Sequence, residues 1–199
     1  MARIVVENME ETIGPWLLFE YINAAKLCKD IMFTNICSDR LANILGRYGR
    51  VYRESFIHII REKDVIVLDP SADKPLEPED TVGRAIVIGG ILGDDPPKGR
   101  TKMLLTDRYG LQSRNIGDKQ YSIDGAVYVA HRISEGESLE NIKYVDGLEI
   151  DAWDFTIQLP YRYPVERGRP LASPILTKIL KHIGYLDEYW MRELFKCKY

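Results

Sequence analysis

Carboxylates follow two of the chain's apolar runs, and one set stands beside a glycine turn. Glu7, Glu10 and Glu11 follow the first run, and Asp94 and Asp95 follow Gly89-Gly90-Ile91-Leu92-Gly93, with Arg100 shortly after. If both sets face one pocket, that pocket is acidic and suits a cationic acceptor. A guanidinium has a pKa above about 12, so a site that uses one as a nucleophile must hold it with carboxylates and accept a proton as the new bond forms. Trp16 and Tyr21 would add cation–π contact. A second reading fits the same residues. Glu10 and Glu11 favour a helix start through its dipole, and Asp94 and Asp95 solvate a turn. Arg100 either orients the acids, contacts a substrate carboxylate, or is an exposed helix arginine.

The elements that must position these groups are legible as alternating strands and helices. Residues 3–7, 31–36 and 64–69 are short apolar or β-branched strands, and 83–88 is another that empties into the glycine turn. Gly14-Pro15 opens a helix whose apolar side holds Trp16, Leu17, Phe19, Ile22, Asn23, Ala24 and Leu27. Ser38 or Asp39 caps the next helix. A short run from Leu111 to Ile116 ends in Gly117-Asp118-Lys119-Gln120-Tyr121-Ser122, and residues 123–132 form a helix packed by small residues. Such alternation predicts an α/β fold with a mostly parallel sheet. A buried strand that empties into a glycine turn is where such sheets place ligands. It happens twice here in about 40 residues, which predicts two loops closing on one ligand.

Past Arg132 the pattern changes. Residues 135–154 hold seven acids and one lysine, with a strand between Ile142 and Ile150. Phe155 to Leu159 leads into Pro160-Tyr161-Arg162-Tyr163-Pro164, where Tyr161, Arg162 and Tyr163 are either a lid or, for the tyrosines, core contacts. Ser173-Pro174 starts an amphipathic helix carrying Ile175, Leu176, Ile179, Leu180 and Ile183 on one side. The tail 185–199 is aromatic and mixed in charge.

Composition bounds the partners. The chain has 199 residues, 45% hydrophobic and 29% charged, as expected of a globular protein with one core of ordinary size. A net charge of −3 argues against coating nucleic acid by charge alone, although residues 40–63 carry six basic against two acidic residues. The apolar runs fall short of the roughly 20 residues of a membrane span, so no membrane partner is expected. The amino terminus enters a strand pattern without a signal peptide, which predicts a cytoplasmic protein. Cys28, Cys37 and Cys197 are odd in number and scattered, which fits reduced thiols. Three lone histidines, His58, His131 and His182, make no metal site.

Three pieces in order carry a resemblance. They are residues 5–14 with the following helix, then Ile86-Val87-Ile88-Gly89-Gly90, then Asn115-Ile116-Gly117 through Ala126. This order resembles the trefoil-knotted SPOUT methyltransferases. Glu7-Asn8-Met9-Glu10-Glu11, residues 89–101 and Pro160-Tyr161-Arg162-Tyr163 resemble more closely the branch that holds a fungal ribosomal-protein arginine methyltransferase and its archaeal relatives.

The resemblance implies a deep C-terminal trefoil knot in a domain spanning 1–135. A C-terminal extension, 136–199, would pack on it and be able to lid the site. It implies S-adenosylmethionine as the methyl donor and S-adenosylhomocysteine as the product. The donor would lie against Ile88, Gly89, Gly90 and Gly93 on one side and Ile116, Gly117, Lys119, Gln120, Ser122 and Ala126 on the other, with Leu68 or Asp69 near the base. Glycines allow the close backbone approach that a Cβ would obstruct. The catalytic set is Asp94, Asp95, Glu10, Glu7 and Arg100. The implied acceptor is an arginine of a ribosomal protein. Knotted RNA 2′-O-methyltransferases generally carry an arginine in the helix after the first piece, and residues 14–21 hold none. An RNA acceptor on the same fold is the alternative, favoured by the basic stretches 40–63 and 98–120, and a non-catalytic binding module is the third. Most of the superfamily dimerises through the knot helices. The extension could cover that surface, so monomer and homodimer both stay open.

Overall fold

The computed structural model describes residues 2–94, 96–153, 155–183 and 194–196. Strand β1 (Arg3–Asn8) and the short β2 (Thr12–Ile13) lead into helix α1 (Pro15–Leu27), followed by β3 (Ile31–Thr34), α2 (Asp39–Leu45) and β4 (Arg50–Val51). Next come β5 (Val65–Leu68), β6 (Ala85–Gly90), a π-helical turn (Lys102–Thr106), the helical turn α3 (Asp107–Tyr109), β7 (Ser113–Arg114) and α4 (Ile123–Ser134). The chain continues through β8 (Tyr144–Ala152), β9 (Phe155–Glu166), β10 (Arg169–Pro170), α5 (Pro174–Ile183) and β11 (Phe195–Lys196).

Six strands form a parallel sheet in the order β4-β3-β1-β6-β5-β7. Alternation along the strands feeds two cores. Ile4, Val6, Ile66, Leu68, Ile86 and Ile88 pack on one face with residues of α1 and α4. Val5, Val65, Val67, Ala85 and Val87 pack on the other with Phe56, Ile60, Leu105 and Leu111. Burial on both faces is why these strands read as continuous apolar runs.

Register decides where the site lies. Glu7 pairs with Gly89, Asn8 with Gly90, and Leu68 with both Ile88 and Arg114. The carboxyl ends of β1, β6, β5 and β7 therefore sit side by side. The segments leaving β6 and β7 are the two glycine turns.

Strands β8, β9 and β10 form a three-stranded antiparallel sheet in the order β10-β9-β8. With α5 it builds a third core of Ile150, Leu159, Tyr163, Leu176 and Leu180, against which Trp16 and Phe19 of α1 pack. Helix α1 is thus covered on two sides and buries even Glu20 and Asn23. Cys28 is a free, buried thiol, whereas Cys37 is disulfide-bonded, contrary to the reading from an odd cysteine count. Cys197 and most of the aromatic tail lie outside the described residues. Among the described residues no helix is long and apolar enough to cross a membrane.

Candidate active site

A cavity of about 370 Å³ opens at the carboxyl ends of β5 and β6 and is closed by the segment after β7. That volume is in the range of small-molecule sites, roughly 300–1,000 Å³. Of the residues expected to hold a donor, Leu68, Ile88, Gly89, Gly93, Ile116, Gly117, Lys119, Gln120 and Ala126 line it. The two turns thus face one space. Gly117 has φ +106°, a conformation that side chains rarely adopt.

Gly90 and Ser122 are placed otherwise. Gly90 is buried behind the wall, where a Cβ would collide with the Tyr21 hydroxyl. That hydroxyl donates to Asn8 Oδ1 at 2.9 Å, with the Gly90 carbonyl at 3.2 Å. Ser122 caps α4, its hydroxyl accepting from Gly125 N at 3.4 Å.

The acids separate by the direction of β1. Glu10 accepts from Leu92 N at 3.1 Å and from the Arg100 guanidinium. Arg100 Nε lies 3.6 Å from Asp94 Oδ2, and Lys98 Nζ donates to Asp94 Oδ1 at 2.8 Å. The Lys98 hydrogen bond, with Arg100 beside it, holds the Asp94 carboxyl below its ordinary pKa. Asp94 and Arg100 line the cavity, and Glu10 is joined to them.

Glu7 stands apart, contrary to expectation. It shares the parity of Val5, so its carboxylate turns to Thr34 Oγ1 at 2.5 Å and Phe56 N at 3.2 Å. Burial raises its pKa against those hydrogen bonds. Asp95 lies outside the described residues. Trp16 donates to Glu20 at 2.7 Å and packs against the third core, and Tyr21 is fully buried. Neither ring lines the cavity.

Strand β9 reaches both turns. Tyr161 donates its hydroxyl to the Gly93 carbonyl at 2.8 Å, and Arg162 N donates to the Gln120 carbonyl at 2.8 Å. Tyr163 is a core residue, 2% exposed.

The family model described as "Protein arginine N-methyltransferase SFM1-like" matches residues 3–184. The chain belongs to that family. It is 29% identical over 200 residues to protein arginine N-methyltransferase SFM1 of Saccharomyces cerevisiae, covering 90% of this chain and 94% of the relative. The crystal structure of yeast SFM1 complexed with SAH superposes with a TM-score of 0.79 at 27% identity, covering 90% of this chain and 94% of that one. The complex with SAM gives 0.79 at 28% identity, covering 90% of each chain. The dual-specific Trm10 of Thermococcus kodakaraensis shares the fold, with a TM-score of 0.53 at 15% identity over 70% of this chain and 96% of that one.

In this SFM1-like chain the cavity also takes in residues that sequence reasoning missed, among them Ser71, Thr101, Tyr121 and Ile123. Ser71 had a signal, since it follows β5 and the end of β5 lies beside the glycine turn. Its backbone N donates to Asp69 Oδ1 at 2.9 Å, while Thr106 of the π-helical turn donates to Asp69 Oδ2 at 2.7 Å. Thr101 had a signal only through its neighbour Arg100, since a threonine at a helix start is ordinary by itself.

Proposed function

We propose that this chain transfers a methyl group from S-adenosylmethionine to an arginine side chain of a ribosomal protein, and that the cavity holds the donor. The donor set fits. Leu68, Ile88, Ile116, Ile123 and Ala126 offer an apolar floor suited to a base, and Asp69, Ser71, Lys119 and Gln120 offer polar groups suited to ribose and the amino acid end. When bound, the donor supplies a methyl group on a sulfonium and leaves as S-adenosylhomocysteine.

The observation that carries the acceptor is the guanidinium of Arg100 between Glu10 and Asp94. Carboxylates from two different segments already hold, beside the cavity, a group with the acceptor's chemistry. A carboxylate accepts at about four lone-pair positions, so Glu10 and Asp94 retain capacity for a second guanidinium. In this reading they orient the acceptor nitrogen and offset its charge. One of them takes the proton released as the nitrogen–carbon bond forms and passes it to water. Arg100 is then the residue that orders the acids.

The same reading includes a trefoil knot in the chain around the turn after β7, a knotted domain over 1–135 and an extension over 136–199 packed on it. Coverage of α1 by that extension supports a monomer over a homodimer built on this helix. A ribosomal substrate would place the reaction in the cytoplasm.

An RNA acceptor draws less support. Several arginines of the basic stretches are engaged with acids: Arg50 with Asp30, Arg53 with Asp39, Arg61 with Asp64 and Arg114 with Asp80. The deciding experiment incubates the purified protein with labelled donor and a lysate from cells that lack it. Label that survives nuclease and is recovered as methylarginine supports this reading. Label that survives protease and is lost to nuclease supports RNA, and donor binding without transfer supports a binding module.

A further inference from the structure

The β8–β9 hairpin belongs to the part of the chain that adds no strand to the parallel sheet, yet two consecutive residues of β9 grip both turns of the cavity. Tyr161 takes the first turn. Its hydroxyl bonds the Gly93 carbonyl, and its ring edge fills the space that a Cβ on Gly93 would need, 2.5 Å from that position. Arg162 takes the second. Its backbone N bonds the Gln120 carbonyl, and its Nη1 reaches Asp118 Oδ1 at 3.3 Å.

Arg162 is in turn fixed by its own hairpin. Asp146 of β8 receives Nε at 2.6 Å and Nη2 at 3.0 Å, a bidentate pair of the kind that sets geometry as well as charge. The guanidinium lies 3.9 Å from the centroid of the Tyr144 ring, and the residue is only 6% exposed. Neither Tyr161 nor Arg162 lines the cavity. A two-stranded element thus touches both walls of a pocket it does not line.

We propose that this hairpin is a strap that sets the separation of the two turns, with Tyr161 and Arg162 as positioning residues on which donor affinity depends. The inference rests on the reading that the cavity holds S-adenosylmethionine. It adds that the site is completed by the extension. The strap works from the rim, by holding Gly93 and Gln120 where their backbone meets the ligand. Loss of one such hydrogen bond loosens a wall without removing any ligand contact, and the expected effect is about tenfold in affinity. Lysine cannot reproduce the bidentate fork, so Arg162→Lys should recover only part of what Arg162→Met loses.

The test is titration calorimetry with S-adenosylhomocysteine on the full chain, for wild type, Tyr161→Phe, Arg162→Lys, Arg162→Met and the exposed hairpin control Thr156→Ala. Hydrogen exchange of the segments containing Gly93 and Gln120 is followed without ligand. The strap predicts weakening of about tenfold for Tyr161→Phe with an unchanged melting temperature. It also predicts a larger loss for Arg162→Met, partial rescue by Arg162→Lys, no change for Thr156→Ala, and faster exchange at both turns in the weakened variants. Wild type that binds while Tyr161→Phe binds within twofold, with unchanged exchange at Gly93, overturns the strap and leaves the donor reading standing. Wild type that shows no binding overturns both. If Arg162→Met fails to fold, Tyr161→Phe and the exchange data still decide.

Discussion

Arg100 delivers its guanidinium to Glu10, a residue 90 positions earlier, and so ties the segment after β1 to the one beyond the first glycine turn. Side-chain exposures of 27% and 22% make this a partly solvated pair, so its contribution to stability is small, about 0–1 kcal/mol. Its consequence is positional, because the same guanidinium stands beside Asp94.

Arg100→Met should therefore act on transfer more than on folding. Methyl transfer to protein is expected to fall at least about tenfold, equivalent to about 1.4 kcal/mol of barrier. S-adenosylhomocysteine affinity should hold within about threefold, and the melting temperature should drop by no more than about 4 °C. Arg100→Lys should restore part of the rate. Single-turnover assays with saturating donor decide, and unimpaired transfer by Arg100→Met would show that the acids need no ordering by Arg100.

Three acids of the expected catalytic set, Glu10, Asp94 and Glu7, should separate by assay. Glu10→Gln and Asp94→Asn are expected to lower transfer by about 10²-fold each, in the range of general acid–base contributions, with donor affinity retained. Glu7→Gln should leave the rate untouched and cost about 1–2 kcal/mol of stability, because its hydrogen bonds to Thr34 and Phe56 are internal. Denaturant unfolding and label incorporation, run on the same preparations, check both halves. A slow Glu7→Gln enzyme with normal stability would reverse the assignment.

Gly93 has no room for a methyl group. A Cβ there would run into the Gln120 side chain, which can swing away, and the Tyr161 ring, which is held by its hydroxyl bond. Gly93→Ala should weaken S-adenosylhomocysteine binding at least about tenfold, since one wall must shift to admit it. Gly83→Ala, where φ is +71° but the space is open, should lose stability alone. Equal binding by Gly93→Ala and wild type would show that the turn is not set by that contact.

Much of the sheet was legible because burial on two faces leaves unbroken apolar runs, as in Val65–Leu68 and residues 85–88. The first glycine turn was found for the same reason, since it follows such a run, whereas the second follows β7, a two-residue, half-buried strand at the sheet edge rather than the buried strand expected there. What escaped was anything set between distant segments. Parity along β1 shows that Glu7 goes with Val5, but it does not show which face the cavity needs until β6 is laid beside it. The reach of Arg100 to Glu10 and of Tyr161 to Gly93, 68 positions apart, has no local signature at either end. Cys37 is similar, because pairing is decided by which segments meet in space rather than by the count of thiols.

Glu20 and Asp124 are buried carboxyls in contacting helices, α1 and α4. Glu20 accepts from Trp16 Nε1 at 2.7 Å and Ile123 N at 3.0 Å, and Asp124 accepts from Asn23 at 2.7 Å and Gly125 N at 2.9 Å. Burial, then the charge of Asp124, pushes Glu20 up from 4.5 to about 8, and burial raises Asp124 as well. In the unfolded chain both ionise near their ordinary values, so between about pH 4.5 and 8 the folded state binds more protons. Stability is then fully present below the unfolded value, falls as pH rises through that window, and levels off above about 8. Asp124→Asn removes one charge and keeps its pairing, because the Asn23 amide can turn to present its oxygen. Unfolding free energies measured at pH 5 and 8 should differ less in Asp124→Asn than in wild type. An identical difference in the two proteins would show that this pair does not govern the pH response.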